Sequence, residues 1–128
     1  MPIEVVFYWP EDVKKNPFPK SFKSGLCEFV DRLEKITDIP MKVVLKFVPA
    51  MLLPNGHKGW AFGLCHYEED PIIIHVAAHV DADMDTLRDT ICHEVVHVEQ
   101  VRDGRKITER GVKVRARNLV RKVLENSQ

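Results

Sequence analysis

Leu87-Arg88-Asp89-Thr90-Ile91-Cys92-His93-Glu94-Val95-Val96-His97-Val98-Glu99-Gln100 is the stretch on which the reading of this chain turns. Leu87, Ile91, Val95, Val98 and, just beyond, Val101 recur at spacings of three and four, the apolar stripe of an amphipathic helix. Asp83 and Asp85 stand where carboxylates cap a helix start and complement its dipole. Asp103-Gly104 supplies the stop, because Gly readily takes the left-handed position after a last turn. The pattern predicts a helix of about five turns. On it His93 and His97 lie four apart, one turn from each other on the same face. Two imidazoles so placed can bind one Zn²⁺ together, and Glu94 beside the first can act as general base on a water. The alternative reading is a pair of histidines at the rim of a core, satisfied by hydrogen bonds.

A third ligand would strengthen the metal reading. Lys106 to Leu124 also reads as a helix, with Val112, Ala116, Leu119, Val120 and Val123 as its buried stripe. Glu109 falls on that same face, one turn before Val112. A carboxylate turned inward needs a partner, since burying an unpaired charge is costly. If the two helices fold back at Gly104, Glu109 comes level with His97 to within about 3 Å along the axis. His93, His97 and Glu109 would then make a two-histidine, one-carboxylate set with a fourth position open. Glu109 could instead complement the helix dipole or neighbour Arg105 or Arg110. His66, His75, His79 and Asp103 are other candidates for the third position. His75 and His79 are four apart on an expected strand, about 13 Å from each other, and cannot chelate together. His79, near the strand end, is placed to approach the site or to stabilise a transition state.

The chain has 128 residues, expected to form a single domain over 1–128, and no apolar run of the length a membrane span needs. Met1-Pro2-Ile3-Glu4 has no basic region followed by an apolar one, so no signal peptide is expected. Cys27, Cys65 and Cys92 are odd in number and lack metal-type spacing, which reads as reduced thiols in a cytoplasmic protein. Net charge is zero, yet nine Lys or Arg fall between Arg102 and Lys122 against only Asp103 and Glu109. That basic stretch is a solvated helix face or a patch for nucleic acid; zero overall charge favours the first.

Outward from the motif the pattern is α+β. Ile3 to Trp9 reads as a strand, Pro10 to Lys20 as a loop, and Ser21 to Thr37 as a helix. Met41 to Val48 is strand-like, Pro49 to Gly59 a loop, and Trp60 to Tyr67 and Ile72 to Ala78 are two strands around Glu68-Glu69-Asp70-Pro71. The expectation is a small, mostly antiparallel sheet with one helix before it and two site helices after it.

This order, together with the motif, resembles the minimal zincin metallopeptidases, most closely their small phage-encoded and SprT-like members. The residues that carry the resemblance are Gly59-Trp60-Ala61-Phe62-Gly63, Pro71-Ile72-Ile73-Ile74-His75, and Leu87 through Gln100. They cover about the second half of the chain. The resemblance implies that His93 and His97 bind zinc and that Glu94 is the general base. The remaining ligand varies between branches of the family. A downstream histidine would mark the SprT-like type, and none follows His97. This departure points to a glutamate-ligand branch through Glu109. The implied activity is zinc-dependent hydrolysis of peptide bonds, with the peptide or protein substrate laid along a strand edge near Gly63 to Tyr67. His57, His66, His79 and Tyr67 are candidates for stabilising the oxyanion. A catalytically inactive zincin-like binding protein and a nucleic-acid-binding module built on the basic helix are the alternatives.

Overall fold

The computed structural model describes residues 3–8, 20–49, 63–78 and 84–125. There the chain runs β1 (Ile3–Phe7), α1 (Lys20–Thr37), β2 (Val43–Pro49), β3 (Gly63–His66), β4 (Ile72–Ala78), α2 (Met84–Arg102) and α3 (Val112–Glu125). The α+β class expected from the sequence is present, with one four-stranded sheet and three helices among the described residues. His57, Trp60, His79 and Asp83 lie outside the described residues, as does most of the 10–20 loop.

Strand direction corrects the expectation. The sheet order is β1-β2-β4-β3, and it is mixed rather than mostly antiparallel. β1 pairs parallel to β2, from Ile3 opposite Val43 to Phe7 opposite Phe47. β2 pairs parallel to β4, from Val43 opposite Ile72 to Pro49 opposite Ala78. Only β3 and β4 run antiparallel. The reason lies in the connections. A helix between β1 and β2 makes a crossover, which returns the chain in the same direction. The link from β2 to β4 passes through β3 on the far side of β4, so β2 and β4 again share a direction. The short turn over residues 67–71 can make only a hairpin.

Alternation along each strand sorts its side chains onto two faces. Ile3, Leu45, Phe47, Ile74 and Val76 point one way and join Leu33 of α1, Ile91 of α2 and Leu119 of α3 in one buried cluster. Fully burying such a side chain contributes roughly 1.5–3 kcal/mol. The other face carries Glu4, Val6, Lys46, His66 and His75, which are half-buried or exposed. On α2 the predicted stripe holds: Leu87, Ile91, Val95 and Val98 are buried, and Val101 packs at the edge. Gly104 ends the helix in the left-handed region at φ 67°. Its N–H donates to the Val101 carbonyl at 3.0 Å, and the Arg105 N–H donates to the Gln100 carbonyl at 2.9 Å. These two bonds satisfy carbonyls that the last turn leaves open.

α3 begins at Val112, later than the Lys106 expected from the sequence. Gly111 sits at φ 76°, a conformation no helix interior tolerates. Residues 103–110 are mostly exposed and have little apolar surface with which to dock a helix. From Val112 onward the expected stripe is present, with Val112, Ala116, Leu119 and Val123 buried. No helix among the described residues is long and apolar enough to cross a membrane.

Candidate metal centre

α2 holds His93 and His97 one turn apart, with ring centroids 5.3 Å from each other. His97 is the more enclosed, with 7% of its side chain exposed against 29% for His93. Glu109 meets both. Its Oε2 lies 3.0 Å from His93 Nε2, and its Oε1 lies 3.0 Å from His97 Nε2. The three residues proposed from the sequence as ligands are thus brought together, with one ligand atom from each all within 4.8 Å of one another. The route by which Glu109 arrives differs from the expectation. It is not on the inward face of a helix but in the connection between α2 and α3, and 72% of its side chain is exposed. The chain reversal at Gly104 delivers it without any help from helical periodicity.

The donor set suits zinc. Two neutral imidazoles and one carboxylate are its usual catalytic ligands, with bonds of about 2.0–2.2 Å. Tetrahedral bonds of that length set ligand atoms roughly 3.3 Å apart. The spacing between Glu109 and each histidine is a few tenths of an ångström short of that. His97 also has an anchor behind it, since its Nδ1 lies 2.9 Å from Gln100 Oε1. Such an outer contact fixes the ring and keeps the other nitrogen turned toward the site.

Glu94 is buried beside this cluster. Burial pushes its carboxyl up to about 7; His97 opposes the rise and Glu109 adds to it. A base poised near neutrality suits proton transfer at physiological pH. Glu94 also meets the sheet. A Cβ placed on Gly63 would lie 3.1 Å from Glu94 Cγ, 3.2 Å from its Oε1 and 2.9 Å from Thr90 Cγ2. Glycine at this position lets the motif helix approach the first residue of β3. Gly63 and Glu94 share a cavity of about 400 Å³ with Asp89, Thr90, His93, Lys113, Ala116 and Arg117. β3 is an edge strand, paired on one side only among the described residues.

The remaining histidines and acids are elsewhere. His66 and His75 lie on the sheet face away from the buried cluster, where His66 Nε2 and His75 Nδ1 are 3.0 Å apart. Burial and the neighbouring His66 lower the pKa of His75. Asp103 pairs with Arg102 at 3.0 Å and approaches Arg105, and is not in the ligand cluster. Tyr67 is exposed in the turn after β3. His57 and His79 fall outside the described residues.

Three features near the site were not anticipated from the sequence. The sequence places Gly63 on a strand edge for a peptide, but does not show its close approach to Glu94 and Thr90. Gln100 was not singled out, although it stands three residues after His97 and therefore beside it on the helix. Glu99, 3% exposed, receives two hydrogen bonds from Arg115, Nε at 3.1 Å and Nη2 at 2.8 Å. That paired contact joins α2 to α3 just below the ligand cluster. Comparison of the chain with protein-family models, with characterised proteins and with solved structures finds no match.

Proposed function

We propose that this chain is a zinc-dependent metallopeptidase of zincin type, with His93, His97 and Glu109 as ligands and Glu94 as general base. The observation that carries the proposal is the convergence of His93 Nε2, His97 Nε2 and the Glu109 carboxylate at near-chelating spacing. Bound there, Zn²⁺ supplies Lewis acidity, lowering the pKa of a water and polarising a scissile carbonyl. Glu94 takes the proton of that water as its oxygen attacks the carbonyl carbon. As the C–N bond breaks, Glu94 gives the proton to the departing amine nitrogen. Its buried setting keeps solvent from competing for that proton. An extended peptide adds a strand to the open edge of β3, main chain to main chain, which lays a peptide bond beside Gly63 and Glu94.

A nucleic-acid role has less support. Arg102, Arg105 and Arg115 from the basic stretch are engaged by Asp103 and Glu99, which leaves fewer free cations than the sequence count suggests. The test is metal analysis of protein purified without a histidine tag, after zinc is supplied. About one zinc per chain is expected, lost in His93→Ala and His97→Ala. Glu94→Gln should keep the metal and lose hydrolysis by about 10²–10⁴-fold. A wild-type protein that stays metal-free refutes the enzyme reading. A Glu94→Gln variant that cleaves at the wild-type rate refutes the role of Glu94.

A further inference from the structure

Gln100 touches both halves of the ligand set. Its side chain is 4% exposed, so its amide has lost water and must find partners within the protein. It has three. Nε2 donates to the Thr108 carbonyl at 3.0 Å. Oε1 accepts from the Thr108 N–H at 3.4 Å and lies 2.9 Å from His97 Nδ1.

Backbone polarity fixes which way this amide points. A peptide carbonyl can only accept, so the atom facing the Thr108 oxygen is the NH₂ group. A peptide N–H can only donate, so the atom facing the Thr108 nitrogen is the oxygen. A flipped amide would oppose like to like at both contacts. The oxygen therefore faces His97, and an oxygen acceptor requires that Nδ1 carry the hydrogen. In neutral His97 the lone pair is then on Nε2, which faces Glu109 Oε1 at 3.0 Å. Two acceptors at that distance repel unless a proton or a metal ion lies between them, so in the absence of both Glu109 opposes the tautomer that Gln100 favours.

The same amide also restrains the third ligand. Glu109 lies in a connection with no helix to fix its backbone, and Thr108 is the residue before it. Gln100 holds both the N–H and the C=O of Thr108, and the Val112 N–H donates to the Glu109 carbonyl at 3.2 Å from the other side. We infer that Gln100 is the positioning residue of this centre: one side chain selects the His97 tautomer and secures the backbone that presents Glu109. The metal half of this assignment rests on the zinc reading above; the tautomer half does not.

Two substitutions separate the two tasks. Gln100→Leu removes all three contacts at similar volume. Gln100→Glu keeps an acceptor for His97 Nδ1–H and loses the donor to the Thr108 carbonyl. The first readout is made on metal-free protein at pH 9 in a Glu109→Ala background, which removes the carboxylate competing for the Nε2 hydrogen, with ring ¹⁵N shifts of His97 reporting its tautomer. With Gln100 intact or replaced by Glu, His97 should show Nδ1–H, and with Gln100→Leu it should move toward the Nε2–H form that free histidine prefers. The second readout is Zn²⁺ affinity by chelator competition, with Co²⁺ visible absorption reporting ligand geometry. Gln100→Leu should bind zinc about 10–100-fold more weakly, with altered Co²⁺ bands, and Gln100→Glu should fall between it and wild type. A Gln100→Leu protein in which His97 keeps Nδ1–H overturns the inference even if no variant binds metal. Unchanged zinc affinity in Gln100→Leu, with wild type loaded, overturns it while leaving the zinc reading intact. Failure of wild type to bind zinc refutes that reading and the metal half together, and the tautomer measurement still decides the other half.

Discussion

Glu94→Gln should stabilise the metal-free protein, and by an amount that depends on pH. Burial holds the Glu94 carboxyl at about 7 in the folded state against an ordinary value of 4.5. The folded protein therefore binds this proton more tightly than the unfolded chain does. Stability from this group is intact below about pH 4.5, falls as pH rises from there, and is fully lost above about 7. At about 1.4 kcal/mol per tenfold change in proton affinity, the loss reaches about 3 kcal/mol by pH 8. Glutamine has nearly the same shape and no charge to desolvate, so the variant escapes the loss. For a chain of this size the difference corresponds to roughly 10 °C in Tm. The assay is thermal unfolding of both proteins with a chelator present, at intervals from pH 4.5 to 8. The curves should start together and diverge toward high pH. Adding zinc should narrow the gap, because a nearby cation stabilises the carboxylate. Profiles that stay superimposed across that range would refute the claim that Glu94 is held in a desolvated site. They would also remove the physical reason for regarding it as a base poised near neutrality.

Gly63→Ala should cost about 1–3 kcal/mol by overpacking β3 against α2 and should slow hydrolysis by displacing Glu94. Thr90→Ser, which removes the methyl group 2.9 Å from the added Cβ, should recover part of the stability in the double variant; no recovery would show that the clash lies elsewhere. In urea unfolding, Arg115→Met should cost more than Glu99→Gln, about 3 against about 1 kcal/mol. The first leaves a carboxylate whose side chain is 5% exposed with only the longer 3.8 Å contact to Arg102, whereas the second frees a guanidinium whose side chain is 42% exposed and can rehydrate; equal costs would contradict this asymmetry. Burial pushes the Cys65 and Cys92 thiols up to about 12. Iodoacetamide at pH 8 should therefore label them only on unfolding, and rapid labelling of Cys92 in the native protein would show that its helix face is open.

The sequence makes the motif helix legible because three signals agree there: the apolar stripe from Leu87 to Val101, the acidic start and the glycine stop. The helix that the structure forms differs by little at either end. The sheet was harder to read. Strand positions follow from β-branched runs such as Ile72-Ile73-Ile74, but direction depends on connections. The segment between β2 and β4 hides a strand that leaves for the far edge. Glu109 is instructive because its identity and its setting came apart. Placing it level with His97 by fold-back counts a helical rise on both sides of Gly104, whereas residues 105–109 are not helical; the reversal at Gly104 brings Glu109 to His97 by a different path. Its supposed helical face failed because Gly111 interrupts the pattern. Gln100 could have been found from its position one turn after His97. Its second partner could not, because the Thr108 backbone has no sequence signature.

All of the residues assigned to the site, from Gly63 to Glu109, lie in one contiguous stretch made of the β3–β4 hairpin, α2 and the connection that follows it. β1, α1 and β2 contribute a wall of packed side chains and no ligand. Two kinds of constraint are therefore separated along the chain. Changes in β1, α1 and β2 reach the site through the core and through the hydrogen bond that Arg102 donates to the Thr37 carbonyl, and their energies should add to those of site variants when the positions share no neighbour. The second stretch has no such freedom, since Glu99 and Gln100 commit adjacent positions to different partners. The practical result is an engineering boundary. Stabilising substitutions can be gathered in β1 and α1 and combined freely, whereas each change from Gly63 onward has to be measured together with its neighbours.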